Sequence, residues 1–166
     1  AIGYHLPVYY TTDDYYKAIV FNTLVGAGTE SLLFKKIREE LSLVYFIGSS
    51  YDNHKGSFMI YSGINQDEFT KVKNEIDIIL TNVKDSNYSD KSLSIAKKTI
   101  INGAIEALDS NGSLIARILN LSLFDKEPDI DKLIEEINKV SKEDVAYIAN
   151  KLTLDTTFFL RNDQYE

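Results

Sequence analysis

Cysteine is absent from this 166-residue chain, and histidine and proline occur only twice each. Without cysteine, disulfide bonds, thiolate catalysis and cysteine-ligated metal sites are excluded. The two histidines, His5 and His54, are far apart in sequence, and neither H-E-x-x-H nor H-x-x-E-H occurs. His5 is predicted to lie on a strand and His54 in a turn, so we expect no metal site and no cofactor in this chain.

Long apolar runs and an excess of basic residues are missing too. No apolar run reaches the about 18 residues that a membrane span requires, and the first residues do not have the pattern of a signal peptide. The net charge of −7 disfavours binding to nucleic acid or to an anionic membrane. These features favour a cytoplasmic globular protein. Since the chain lacks an initiator Met and starts inside a predicted strand, we interpret residues 1–166 as a single domain of a longer, two-domain protein.

The common motifs of nucleotide-binding and hydrolytic enzymes are also absent. There is no G-x-S-x-G elbow, no Walker loop and no G-x-G-x-x-G. Gly26 and Gly28 are interpreted as a helix end followed by a turn. The acidic pairs Asp13-Asp14 and Glu39-Glu40 are typical of solvated helix faces, because a general acid or base also needs burial and a pocket. The chain is therefore not predicted to be catalytic on its own.

Hydrophobic periodicity predicts a strand near each end of the chain and a hairpin between them. The terminal strands are predicted at 2–7 and 155–161. The hairpin strands are predicted at 43–51 and 57–64, joined by a Gly-containing turn at 52–56.

The remaining segments have the 3.6-residue periodicity of helices. They are predicted at 13–25, about 30–41, 69–83, 93–108, 114–123 (with Pro128 ending the segment), 130–137 and 142–152. Asn65 to Glu68 has the capping-box pattern, and Ser141 to Asp144 is predicted to cap the last helix. This order predicts an α+β fold, with a mostly antiparallel sheet and the helices packed on one face. A boundary between two lobes, if one existed, would fall at 84–89.

Arg38 and Tyr45 flank the turn between the second helix and the first hairpin strand. With Gly26 and Gly28 upstream, this order can place a guanidinium and a phenol together at one end of the sheet. One interpretation is structural, with Arg38 on a solvated helix face and Tyr45 packed on the sheet. The other is a peptide grip, in which both side chains donate hydrogen bonds to a peptide carbonyl and an edge strand aligns the peptide. Spacing alone leaves both interpretations open.

The segment from Gly26 to Tyr45, G-A-G-T-E-S-L-L-F-K-K-I-R-E-E-L-S-L-V-Y, resembles the signature of the second domain of pitrilysin-type (insulinase-type) zinc metallopeptidases. The similarity extends over nearly the whole chain. The segments 52–57 and 62–64 resemble in particular small bacterial members related to peptide-maturation and elongation-factor-modification proteins.

The resemblance implies one half of a clam-shell, with an elaborated ferredoxin-like fold. In this family the N-terminal half holds zinc through H-x-x-E-H, and the C-terminal half lacks zinc and closes the chamber. Arg38 and Tyr45 match the family's residues that reach the peptide substrate and the developing oxyanion. Any zinc would therefore belong to a companion domain or a homologous subunit.

Ser42 departs from this signature, in which glycine is usual at that place. A serine is less comfortable than glycine at positive φ, so the departure is typical of relaxed constraint, as in a non-peptidase member. Two functions follow from the resemblance. The chain is either the substrate-binding, chamber-closing domain of a zinc-dependent peptidase-like protein, or a non-catalytic structural partner that scaffolds an active homologous subunit. A third alternative is an independent small enzyme, which metal analysis would reveal.

Overall fold

The computed structural model describes residues 1–122 and 129–161, which form four strands and seven helices. In chain order they are β1 (Ile2–His5), α1 (Tyr15–Val25), α2 (Phe34–Glu40), β2 (Val44–Asp52), β3 (Ser57–Ile64), α3 (Phe69–Lys84), α4 (Asp90–Glu106), α5 (Asn111–Ser122), α6 (Ile130–Lys139), α7 (Lys142–Asn150) and β4 (Thr153–Thr157). Short 3₁₀ turns precede α3 and follow α4. The predicted order of elements is confirmed, while the predicted helix end at Leu123 and Pro128 lies outside the described residues.

The four strands form one antiparallel sheet in the order β2-β3-β1-β4. Ile2 of β1 pairs with Ile60 of β3 on one side and with Thr157 of β4 on the other. Strands β2 and β4 are therefore the two edges of the sheet. The start of β2, the end of β3, the start of β1 and the end of β4 all lie at one end of the sheet, because neighbouring strands run in opposite directions.

The two faces of the sheet differ sharply in burial. Phe58 and Ile60 point towards the helices and are buried, whereas Met59 and Tyr61 lie on the opposite face and are exposed. This alternation follows the two-residue period of a strand. The predicted faces of β3 and the predicted α+β class are both confirmed.

Phe58 is at the centre of the core. Its ring lies 5.1 Å from the ring of Phe21 in α1, and both side chains are fully buried. Burying a side chain of this size stabilises the fold by about 1.5–3 kcal/mol. Val83 and Leu93, on either side of the 84–89 segment, belong to the same core. That segment is therefore a connection within one core.

The β2–β3 hairpin turns at the predicted residues. The Oδ1 atom of Asp52 accepts hydrogen bonds from the backbone N–H groups of His54 at 2.9 Å and Lys55 at 3.1 Å. Gly56 has a φ of +63°, in the left-handed region that favours glycine. These bonds hold the turn at the end of the sheet opposite to the start of β2.

One of the two predicted helix caps is confirmed, and the other is wrong. Ser141 and Asp144 form a reciprocal capping box at the start of α7. Asn65 has the extended backbone of an N-cap residue, with φ of −72° and ψ of 148°, but its side chain accepts no hydrogen bond from the turn that follows. Its side chain bonds to Tyr45 instead.

Charged side chains join α1 to α7. The Nζ atom of Lys17 lies 3.1 Å from a carboxylate oxygen of Asp14 and 3.1 Å from one of Asp144. Lys151 contacts Asp14 at 2.6 Å. This partly buried network connects the first helix of the chain to the last.

The closing strand begins and ends earlier than predicted. β4 covers Thr153–Thr157, whereas residues 158–161 lie beyond it. Reciprocal bonds of 2.8 Å between Ala1 and Phe158 complete the pairing with β1. The aromatic side chains of Phe158 and Phe159 therefore lie beyond β4, at the end of the sheet.

The end of α4 and most of α5 extend away from the core. α4 ends at Glu106, so Leu108 lies in a 3₁₀ turn, beyond the helix predicted to include it. Among the side chains that are described in this segment, the exposed large apolar ones are Ile105, Leu108, Ile115, Ile118 and Leu119.

Candidate functional site

Helix α2 carries Arg38 and is fastened at both of its ends. At the start, the Oγ atom of Ser31 donates to the carbonyl oxygen of Gly28 at 2.7 Å and accepts from the N–H of Phe34 at 3.4 Å. At the end, the N–H of Leu41 donates to the carbonyl oxygen of Lys36, five residues earlier, at 3.1 Å. This i→i+5 spacing makes α2 a π-helix. Such helices are rare in proteins, but those that occur often lie at functional sites. Arg38 lies on its exposed side.

Gly26 and Gly28 have different physical roles in the loop before α2. A Cβ atom on Gly26 would lie 2.5 Å from Oγ and 2.8 Å from the backbone nitrogen of Ser49, so only glycine fits against β2 here. Gly28 has open space around it but a φ of +106°, which other residues rarely adopt. The predicted helix end at Gly26 is confirmed, with the N–H of Gly26 donating to the carbonyl oxygen of Asn22.

A tight turn leads from α2 into β2. Ser42 has a φ of +52°, the left-handed conformation in which glycine is favoured. The N–H of Leu43 then donates to the carbonyl oxygen of Ile37 at 3.1 Å. A glycine would adopt this conformation without the steric cost that the Ser42 side chain bears.

Tyr45 lies in a β-bulge at the start of β2. Val44 pairs with Ile64 and Phe46 pairs with Gly63, so Tyr45 is the extra residue with no partner in the register. Tyr45 is 68% exposed and Phe46 is 55% exposed, although consecutive residues of a regular strand point to opposite faces. Bulges redirect side chains in this way next to functional sites.

Arg38 is held against the main chain of this bulge. Its Nε atom donates to the carbonyl oxygen of Tyr45 at 3.1 Å, and its guanidinium carbon lies 4.6 Å from the centre of the Phe34 ring. Within residues 1–122 and 129–161, the terminal nitrogens of the guanidinium have no hydrogen-bond or ion-pair partner. Arg38 is thus oriented through one nitrogen, and its planar fork is available to a ligand.

The Tyr45 hydroxyl has a separate partner. It donates to the Oδ1 atom of Asn65 at 2.9 Å. The structure therefore brings Arg38 and Tyr45 to the same sheet end, as expected from the spacing, but joins them through the backbone of Tyr45. Arg38 is exposed as in the structural interpretation, whereas Tyr45 does not pack on the sheet.

An apolar groove of about 290 Å³ adjoins the bulge. Its wall continues from Phe46 across the end of the sheet, and its side chains include Tyr61, Ile64, Phe69, Phe159 and Leu160. The rings of Phe69 and Phe159 stack with centres 4.4 Å apart. Sequence reasoning missed this groove, although the consecutive residues Phe158, Phe159 and Leu160 were a signal for an apolar surface.

Gly63 allows the Phe46 ring to lie in this groove. A Cβ atom on Gly63 would be 2.4 Å from a ring carbon of Phe46. Ser62 also fixes the strand here, because its hydroxyl donates to the carbonyl oxygen of Phe46 at 2.8 Å. The bulge and this glycine together set the position of the aromatic wall.

The outer edge of β2 is partly occupied. The N–H of Ser49 donates to the carbonyl oxygen of Gly26 at 3.0 Å, and the Nε atom of Arg38 donates to the carbonyl oxygen of Tyr45. A peptide that added to this edge as a strand would have to displace the bond from the Ser49 N–H and would share the Tyr45 carbonyl oxygen with Arg38. The Ser49 bond limits strand addition at that position of β2, and the alignment of a peptide by an edge strand stays a prediction.

The tyrosines whose pKa is strongly raised lie away from this site. Burial raises the pKa of Tyr4 and of Tyr88 to about 12, and Tyr4 is a core residue. The Glu39-Glu40 pair lies on a solvated face, with Glu40 2.7 Å from Lys36. The described part of the site is thus suited to binding through hydrogen bonds and apolar contact.

The predicted strand and turn positions of His5 and His54 are confirmed. They belong to the sheet end opposite Arg38. In the described ranges, no group of three or more His, Cys, Asp or Glu side chains is placed to hold a metal ion. The residues described therefore do not fit a zinc site. No described helix is both long enough and apolar enough to cross a membrane.

The helix-covered, four-stranded antiparallel sheet is the fold of a known class of domain. Residues 1–100 match the protein family described as the Peptidase M16 inactive domain. The chain belongs to this family, and the pitrilysin-type resemblance of its sequence is thereby confirmed.

Curated relatives have names of the same kind. A Bacillus subtilis protein named "Probable inactive metalloprotease YmfF" is 31% identical over 163 residues, covering 98% of this chain and 38% of that protein. The "Uncharacterized zinc protease YmxG" of the same organism is 29% identical over 140 residues, covering 82% and 34%. The chain thus spans little more than a third of the length of these relatives.

Solved structures share the fold. A conserved protein from Enterococcus faecalis V583 superposes with a TM-score of 0.86 at 26% identity, covering 92% of this chain and 36% of that one. A peptidase M16 inactive domain from Pseudomonas fluorescens superposes with a TM-score of 0.78 at 18% identity, covering 90% and 37%. At 18% identity, the similarity to the Pseudomonas fluorescens domain concerns the fold alone.

Proposed function

We propose that this chain is the peptide-binding, chamber-closing half of a zinc-protease-like protein. Zinc, where the complete protein has it, would be held by a companion domain or a homologous subunit. The observation that supports the proposal best is the geometry of Arg38. Its guanidinium is oriented by the Tyr45 carbonyl and the Phe34 ring, and its terminal nitrogens are open to a ligand.

The surroundings of Arg38 suit a peptide main chain. A guanidinium donates only, and carbonyl oxygens are the acceptors that a peptide repeats along its length. The apolar groove next to Phe46 suits a large aliphatic or aromatic side chain of the same peptide. A main-chain contact beside an apolar groove is the common arrangement for recognising extended peptides.

Binding of a tryptophan-containing peptide tests this function directly. The chain has no tryptophan, so the fluorescence anisotropy of a capped pentapeptide with a central tryptophan reports on the peptide alone. Replacing Arg38 by Ala or Tyr45 by Phe is expected to weaken binding about tenfold, the effect of losing one hydrogen bond with a charged or well-oriented group.

Tyr9→Phe is the matched control, because Tyr9 is also a partly exposed tyrosine but lies near Gly56, at the opposite end of the sheet. This variant is expected to bind the peptide as the unaltered chain does. Equal binding by Arg38→Ala and the unaltered chain would contradict the proposed site.

A second function is a non-catalytic structural partner that scaffolds an active homologous subunit. Two observations favour it: the left-handed serine at Ser42 and the similarity to a protein named as a probable inactive metalloprotease. Zinc analysis and peptidase assays of the full-length protein separate the two functions. Stoichiometric zinc with turnover that Arg38→Ala reduces would support a peptidase half, whereas no zinc and no turnover would support the structural partner. A cytoplasmic location stays a prediction.

A further inference from the structure

Asn65 occupies a helix N-cap position without capping its helix. It has the extended backbone of a cap residue and is followed by the 3₁₀ turn Gln66–Glu68 and by α3. Asparagine is among the residues that cap helix N-termini best. The Asn65 side chain instead accepts the hydrogen bond of Tyr45 at 2.9 Å. This loss of a local cap in favour of a contact with the site points to a role for Asn65 in the site.

The bond to Asn65 decides how the Tyr45 hydroxyl can interact with a ligand. A phenol has one O–H donor and lone pairs that accept. With its proton directed at the Oδ1 atom of Asn65, the Tyr45 oxygen is left with acceptor capacity only. Arg38 has donors only, and its terminal nitrogens are open. The site therefore presents one donor group and one acceptor group near the start of β2.

We propose that Asn65 is a positioning residue that holds Tyr45 as a hydrogen-bond acceptor, so that Tyr45 binds a peptide N–H while Arg38 binds a peptide carbonyl. This inference rests on the proposed function of the site in binding peptide. An extended main chain offers N–H and C=O groups in alternation, so one donor and one acceptor match it better than two donors. It differs from the expectation that both side chains donate to a carbonyl.

The sheet brings Asn65 and Tyr45 together through the bulge. Val44 pairs with Ile64, and Tyr45 and Asn65 are the next residues of these two antiparallel segments, so both adjoin the same residue pair at the end of the sheet. Both are exposed, which keeps the Tyr45 oxygen open to a ligand while its proton is engaged. A regular strand in place of the bulge would turn the Tyr45 side chain to the opposite face.

Amide-to-ester replacement in the peptide tests the direction of this bond. The probe is the acetylated, amidated pentapeptide with a central tryptophan flanked by alanines, together with versions in which one amide at a time is an ester. An ester lacks the N–H. At one position we expect the ester to weaken binding to the unaltered chain about five- to tenfold, and to weaken binding to Tyr45→Phe less than about twofold.

Two substitutions of Asn65 separate positioning from a general effect on the fold. Asn65→Asp keeps an acceptor oxygen and lacks the amide donor, and we expect it to retain the ester sensitivity of the unaltered chain. Asn65→Leu has a similar size without an acceptor, and we expect its ester sensitivity to fall below about twofold, as for Tyr45→Phe. Circular dichroism and thermal unfolding of each variant establish that the fold is intact.

The outcomes distinguish this inference from the proposed function. If Asn65→Leu keeps the full ester sensitivity, or if Asn65→Asp loses it, Asn65 does not hold Tyr45 as an acceptor, although the site still binds peptide. If the unaltered chain shows no saturable binding of the all-amide peptide, the proposed function and this inference both fail.

Discussion

The Nε atom of Arg38 donates to the backbone carbonyl oxygen of Tyr45 over 3.1 Å, while the Tyr45 phenol is bonded elsewhere. The orientation of the Arg38 side chain therefore depends on the main-chain conformation of Tyr45. Because Tyr45 is the extra residue of a β-bulge, its carbonyl lies outside the regular register with β3. The bulge therefore sets both the orientation of Arg38 and the exposure of Tyr45.

This bond contributes modestly to stability, because both groups are exposed. Arg38→Ala is expected to lower the free energy of unfolding by about 0.5–1.5 kcal/mol, measured by urea denaturation. Arg38→Lys is expected to lose a similar amount, since an ammonium lacks the fixed Nε–H and the planar face that lies on Phe34. A decrease in the free energy of unfolding above about 3 kcal/mol would mean that the main role of Arg38 is structural.

Gly26 is expected to tolerate no side chain. Gly26→Ala places a Cβ atom 2.5 Å from the Oγ of Ser49 and 2.8 Å from its backbone nitrogen, so β2 and the loop must separate. We expect a loss of about 1–3 kcal/mol in the free energy of unfolding, as for other overpacked positions.

Gly103→Ala is the matched control for this substitution. Gly103 lies inside α4 with nothing within 4 Å of an added Cβ atom. Alanine there is expected to stabilise the chain by about 0.5–1 kcal/mol, because glycine is a poor helix former. A similar loss in both variants would mean that contact with Ser49 is not the reason.

Ser42→Gly is expected to stabilise the chain. A residue with a side chain at φ of +52° bears a left-handed penalty of about 1–2 kcal/mol, of which the greater freedom of glycine in the unfolded state offsets about 0.5–1 kcal/mol. The net gain in the free energy of unfolding is expected to be about 0.5–1 kcal/mol. Ser42→Ala keeps the penalty and is expected to show no gain, and Ser42→Val should be less stable than either. A gain in the alanine variant equal to that of glycine would exclude backbone strain as the cause.

Acid is expected to weaken the connection between α1 and α7. Partial burial alone would raise the pKa of Asp14, but hydrogen bonds from Lys151 and Lys17 outweigh it and hold the pKa below the ordinary 3.8. A carboxyl whose pKa is lower in the folded state stabilises the fold above its unfolded pKa, and this contribution is lost as the pH falls through the folded pKa. The loss is therefore expected below about pH 4.

Asp14→Asn removes this contribution, so its free energy of unfolding should fall less steeply between about pH 4 and pH 2.5 than that of the unaltered chain. Urea denaturation at a series of pH values measures the difference. Asp13→Asn is the control, because Asp13 is exposed and has no ion pair in the described part of the chain. An identical pH dependence in Asp14→Asn and the unaltered chain would contradict the role of the Lys17 network.

Local patterns were sufficient for the type and order of the elements of this fold. Ser57 to Ile64 was predicted to the residue, since strict alternation and the preceding Asp-to-Gly turn depend only on neighbouring residues. The helix cap at Ser141 was also predicted, because its partner Asp144 is three residues away. The predicted cap at Asn65 was wrong because its partner is not local. Tyr45, twenty positions earlier, donates a hydrogen bond to the Asn65 side chain instead.

The sequence by itself determined the α+β class, the place of Arg38 before Tyr45, the glycines before α2 and the family. These depend on periodicity, backbone conformation and a continuous signature. Only the tertiary structure decided what those residues contact: the bulge at Tyr45, the bond from Arg38 to its carbonyl, the use of Asn65 and the apolar groove. The bulge, the Asn65 bond and the groove join segments distant in sequence, and the Arg38 bond, although it spans only seven residues, depends on the bulge. Strand pairing brings these segments together, and it does not leave a local pattern in any of them.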